Sequence, residues 1–75
     1  MIWSFGRGDE IVGLQTSGDG HSHDFILEIT WADRRPTIER FTTGYKFKTR
    51  VLAVEQQLAD EDWSQIGSPE FLPHV

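Results

Sequence analysis

The sequence predicts a small α+β fold: a four-stranded antiparallel β-meander followed by one long C-terminal α-helix packed on one sheet face, β-β-β-β-α, with an extended C-terminal tail. Two observations predict it. Apolar residues recur with period two through the first forty residues, the spacing of half-buried strands. The period then changes: Phe47, Val51, Val54 and Leu58 are spaced four, three and four apart, one stripe of an amphipathic helix. Seventy-five residues make one domain. The expected division is residues 1–63 for the meander and helix, and 64–75 for a tail docked on them.

Ile2–Phe5 puts Trp3 and Phe5 on one side of a first strand, and GRGD follows, with Gly6 and Gly8 supplying a turn. Glu10–Thr16 puts Val12 and Leu14 on one face and Ile11 on the other. The loop SGDGHSH comes next, where Gly18 and Gly20 permit a turn. Asp24–Trp31 is the clearest strand, with Phe25, Leu27, Ile29 and Trp31 in alternation. Asp33 and Pro36 mark a turn, and Thr37–Thr42 is a fourth strand, with Phe41 and Ile38 on opposite faces. Pro36 suits a strand start because it cannot donate to the ladder.

The helix is expected over Gly44 to Glu61, with Thr43 as N-cap. Glu55, Gln56 and Gln57 are expected to face mostly outward. The charges run against the helix dipole. Lys46, Lys48 and Arg50 crowd the start, and Asp60, Glu61 and Asp62 crowd the end. A basic neighbour or fraying is expected there, and tertiary contacts must hold the helix. Residues 64–75 contain two prolines, yet Ile66, Phe71 and Leu72 are too apolar to stay in solvent.

One sheet face would present Trp3, Phe5, Val12, Leu14, Phe25, Leu27, Ile29, Trp31 and Phe41 to the helix. The other receives Ile2, Ile11, Ile26 and Ile38, one from each strand. Four isoleucines on a nominally wet face predict a cover, either the tail through Phe71 and Leu72 or another subunit.

A chain this short buries only about 60% of the surface its unfolded form exposes. Small domains often add disulfides, a metal or a partner subunit, and with no cysteine the first is excluded. The start MIWSFGRGDE has no basic-then-apolar leader, and no apolar run approaches the ~20 residues that span a bilayer. A cytoplasmic protein without membrane contact is the expectation.

Several phrases resemble a family of short bacterial proteins of uncharacterised function, about the length of this chain. These are IW near the start, RGDE at 7–10, ERF at 39–41, and Phe47, Arg50, Leu52, Glu55 and Leu58 in the helix. Trp63 and GSP-x-FL at 67–72 complete them. The resemblance implies a compact β-β-β-β-α domain and no assigned activity. Where such proteins carry an Asp/Asn-rich turn, this one has GDGHSH. At the level of topology alone, the strand order is similar to the β-β-β-β-α unit of single-stranded-DNA-binding transcriptional coactivators, which dimerise. Fold analogy does not transmit function.

The residues bear on four kinds of chemistry. His21 and His23, with Asp19 and Asp24 beside them and His74 far along the chain, are weak candidate metal ligands; a solvated loop is the expectation, with no metal and no cofactor. No serine has the setting of a nucleophile elbow, and no acid pair has an enclosing pocket, so no catalytic residue and no enzymatic activity are expected. Net charge is −5, but it is uneven. Residues 34–50 hold six basic residues and one acid, giving +5; the remainder holds one arginine and eleven acids, giving −10. Mutual neutralisation is the plain reading. The alternative is a single-stranded nucleic-acid-binding module using Arg34, Arg35, Arg40, Tyr45, Lys46, Lys48 and Arg50. The leading expectation is a non-enzymatic protein-interaction or dimerisation module. Its surface would comprise Ile2, Ile11, Ile26, Ile38, Phe71 and Leu72, and its partner would be itself or an unknown protein. RGD at 7–9 reads as turn chemistry rather than adhesion.

Overall fold

The computed structural model describes residues 1–70, with side chains through residue 67. Four strands come first: β1 (Ile2–Arg7), β2 (Glu10–Gly18), β3 (Phe25–Thr30) and β4 (Thr37–Phe41). The helix α1 (Gly44–Asp60) follows, and then a fifth strand, β5 (Ser64–Glu70). All neighbours are antiparallel, in the order β4-β3-β2-β1-β5. The fold class is therefore α+β with an antiparallel sheet and one helix, and the expected extended tail is corrected over residues 64–70. Strand β1 would otherwise leave its outer N–H and C=O groups unpaired along a free edge, and β5 satisfies them. Phe71 and Leu72, expected on the isoleucine face, lie outside the described residues, as does His74.

Trp3, Phe5, Val12, Leu14, Leu27, Ile29, Val54, Leu58 and Trp63 are buried together. Eight of the nine come from the period-two and helical patterns as read from sequence; Trp63 enters from beyond the helix, its N–H donating to the Leu58 carbonyl. The helix lies over β3 and β4. Phe25 stacks on Phe47 at 5.1 Å between centroids, and Phe41 tilts against the same ring at 5.9 Å. Such aromatic pairs add about 0.5–1.5 kcal/mol beyond the area they bury.

The ends of α1 explain how a helix charged against its dipole persists. The Lys46 N–H donates to Thr43 Oγ1 at 3.3 Å, the expected N-cap. At the other end the Trp63 N–H donates to the Leu58 carbonyl and the Asp62 N–H to that of Ala59. This is a Schellman motif, with Asp62 in the left-handed position at φ 67°. Arg7 supplies the basic neighbour: its Nη1 donates to the Glu61 carbonyl at 2.8 Å, and its guanidinium lies 4.4 Å from the Trp63 ring centroid. Glu55 does not face outward; it accepts a hydrogen bond from Trp3 Nε1 at 3.2 Å.

Of the two glycines expected in the first turn, one is there. Gly8, at φ 61°, makes the β1–β2 turn, as a two-residue hairpin loop requires. Gly6 is not in that turn. It lies within β1, where a Cβ would stand 2.7 Å from Ile66 Cδ1. Its missing side chain is the space that Ile66 occupies.

Candidate functional site

The strand register places Ile2, Ile11, Ile26 and Ile38 on the face opposite the helix, as alternation requires. β5 adds a residue that the sequence reading missed. Ile66 pairs with Ser4, on the same face. Ile38 is 70% exposed, Ile11 59%, Ile66 51% and Ile2 37%, while Ile26 is half-buried. The signal for Ile66 was present, since Ser64 and Ile66 alternate with Gln65, but Gly67 and Pro69 obscured it.

The five isoleucines do not form one row. Ile38 lies opposite Glu28, Glu28 opposite Gln15, and Gln15 opposite Ile2. Ile38 and Ile2 thus stand three strand spacings apart, roughly 14 Å. Ile26 and Ile38 are diagonal neighbours at one corner, since Ile26 pairs with Arg40 and Ile38 follows two residues away. Ile11 and Ile66 flank Gly6 at the opposite corner. Ser4, Gly13, Gln15, Glu28 and Thr30 occupy the ground between. The face carries two apolar corners across a polar and small-residue middle, and Ile2 stands apart from both at the start of β1, diagonal to Ile66.

The basic residues of 34–50 are scattered over the molecule. Arg40 Nη1 donates to Asp19 Oδ2 at 2.7 Å and to Asp24 Oδ2 at 3.1 Å. Arg50 binds Glu39 through Nε at 2.8 Å and Nη2 at 3.1 Å, a two-pronged pair that raises the arginine pKa. Arg34 lies 4.0 Å from the Trp31 ring centroid and 3.7 Å from Asp33. That Trp31 donates its Nε1–H to Thr37 Oγ1. Arg34 and Arg35 sit in the β3–β4 connection, and Arg34 lines a small pocket together with Leu58 and Glu61 of the helix end. Lys46 and Lys48 sit in the first turns of α1, and seventeen residues of helix extend about 25 Å. Tyr45 is exposed beside Lys46. The structure brings Arg40 and Arg50 to acids and leaves the two remaining basic groups at opposite ends of the helix. Much of the +5 segment is neutralised by its own neighbours.

The GDGHSHD stretch is the β2–β3 hairpin loop. The Asp19 N–H donates to the Asp24 carbonyl and the His23 N–H to that of Asp19. Asp19 Oδ1 accepts from the His21 N–H at 2.8 Å, an Asx turn. The left-handed residue here is His23, at φ 60°, not Gly18 or Gly20. Gly18 ends β2, paired with Phe25. Both carboxylates that would accompany the histidines as metal ligands are held by Arg40. The Arg40 guanidinium and then the His21 N–H lower the Asp19 pKa to about 2. Among the described residues, no three His, Asp or Glu side chains converge as a metal site.

A second apolar surface lies on the helix side. A groove of about 440 Å³ runs between the first half of α1 and the sheet. Trp3 and Phe25 form its floor, Phe47 and Val51 its helical wall, and Lys48 and Glu55 its polar rim. It exists because α1 covers β3 and β4 but leaves the start of β1 and the end of β2 less covered.

No protein-family model, curated protein or solved structure matches this chain. No described helix is long and apolar enough to cross a membrane.

Proposed function

We propose that this protein is a non-enzymatic interaction module that acts through weak self-association of its isoleucine face. One observation carries the reading: Ile2, Ile11, Ile38 and Ile66 are all exposed on the same sheet face. Exposed apolar groups gathered on one face mark contact surfaces more often than isolated ones do. The layout suits a second copy. Two clusters at opposite corners of one face meet equivalent clusters under a two-fold axis in the sheet plane. An axis along the diagonal joining them crosses the two sets of strands at a steep angle, one of the two ways sheets stack. The size suits a reversible contact. Five strands of this length offer on the order of 400 Å² per copy, against about 800 Å² in a standard stable interface. The polar middle agrees, because non-obligate interfaces are no more apolar than ordinary surface.

Sedimentation velocity from micromolar to millimolar protein tests this. The expected result is a concentration-dependent dimer that Ile11→Asp with Ile38→Asp abolishes while leaving the circular dichroism spectrum unchanged. A monomer throughout that range overturns the proposal.

A further inference from the structure

We propose that the groove beneath the first half of α1 binds an unbranched apolar carboxylate, a free fatty acid of medium chain length. The lining is the first reason. Trp3, Phe25, Phe47 and Val51 offer aromatic and aliphatic surface with few polar groups among them. The volume of about 440 Å³ falls in the range of about 300–1,000 Å³ typical of small-molecule sites. Shape is the second reason. The helical wall runs from Gly44 to Glu55, about 16 Å of helix. A hydrocarbon chain fills so long a trough more completely than a compact ring does.

Charge selects the head group. Two charged side chains stand on the rim, and they are in different states. Glu55 already accepts the Trp3 Nε1–H at 3.2 Å. Lys48 makes no ion pair among the described residues, whereas Arg7, Arg34, Arg40 and Arg50 all lie beside carboxylates. Lys48 also sits near the start of α1, where the helix dipole favours a bound negative charge. Its ammonium can take a carboxylate in a charge-assisted hydrogen bond while the groove takes the chain. An amine in the same orientation would meet Lys48 as a like charge. Lys46, two residues earlier, does not line the groove and serves as an internal control. The inference does not depend on the self-association reading, since the two use opposite faces of the sheet.

Nuclear magnetic resonance titration of the full chain with octanoate, hexanoate and octylammonium tests it. Octanoate is expected to give saturable shifts of the Trp3 indole N–H and the Val51 methyls, with nuclear Overhauser contacts from its methylenes to Val51. The indoles of Trp31 and Trp63, which line the small pocket at the far end of the helix, are expected to stay in place. Affinity is expected to rise by up to about fourfold for each methylene between hexanoate and octanoate. Lys48→Glu is expected to weaken octanoate by at least about tenfold, the loss of one charge-assisted contact, and Lys46→Glu to leave it within about twofold. Equal binding of octanoate and octylammonium overturns the proposal, as does the absence of saturable shifts at Val51. So do contacts to Val51 from residues 71–75 or from a second copy that octanoate fails to displace. Sedimentation of the protein with phosphatidylglycerol vesicles, while octanoate leaves Val51 unshifted, would assign the groove to a membrane surface and overturn it too.

Discussion

The two faces of one sheet receive apolar residues from the same strands and end in different states. On the helix side, Val12, Leu14, Leu27 and Ile29 are at most 1% exposed. On the other side, Ile11 and Ile38 remain mostly in solvent. Residue type does not separate them, for Ile29 and Ile38 are the same amino acid on adjacent strands. Adjacency and cover do. Leu14 pairs with Ile29, and Leu14 also with Trp3, so apolar groups meet across the ladder and α1 closes over them. Ile38 meets Glu28, and Ile26 meets Arg40. An apolar count per face therefore overstates what a face can bury. The register across strands must be known as well.

The largest contrast between the faces is one of stability. Leu27→Ala leaves a cavity in the closed side and is expected to cost about 2–5 kcal/mol. Ile38→Ala on the open side is expected to cost within ~0.5 kcal/mol, as surface changes do. Urea denaturation measures both, and equal losses would mean that the second face is covered in solution. Gly6 comes next, as the point where β5 seats Ile66 on the open face. Gly6→Val is expected to cost about 1–3 kcal/mol through overpacking. Adding Ile66→Ala should recover part of that loss in a double-mutant cycle, because the clash is with this side chain.

A smaller effect of opposite sign is expected where the helix that closes the first face ends. Asp62 holds a left-handed conformation that glycine adopts without strain, and it places a carboxylate at the negative end of the dipole. Asp62→Gly is expected to stabilise by about 0.5–1 kcal/mol, read as a raised midpoint of thermal unfolding. The smallest effect belongs to the exposed ion cluster around Arg40. Asp19 titrates at about 2 when folded, below its ordinary 3.8, because Arg40 and the His21 N–H bind the charged form. The folded state thus holds fewer protons than the unfolded state in that window. The contribution is present above about pH 4 and is lost as pH falls toward 2. Arg40→Met is expected to flatten the fall in unfolding midpoint between pH 4 and 2, and an unchanged slope would mean that Asp19 owes its shift to the loop alone.

Much of the architecture was legible in local patterns. Alternation from Trp3 to Phe41 and the Phe47–Leu58 stripe set four strands, one helix and nearly all of the core, because side-chain period depends only on local backbone geometry. Thr43 was legible as a cap for the same reason: its hydroxyl reaches an amide three residues away. β5 was not legible, since its strand character comes from an unpaired edge of β1 sixty residues earlier in the chain. Nor was the role of Gly6, whose neighbour Ile66 is equally remote, or that of Arg40, which reaches back to Asp19 and Asp24.

The amino-acid order thus settled which residues are apolar, the period at which they recur, and hence which side of the sheet each one joins. Folding in three dimensions settled who stands beside whom. It dispersed the isoleucines over the sheet face, divided the basic segment between internal acids and opposite ends of a helix, and bound the loop carboxylates to an arginine. The reason is physical: period is fixed by bonds between neighbours in the chain, whereas cover and charge pairing depend on residues brought together only when the sheet assembles.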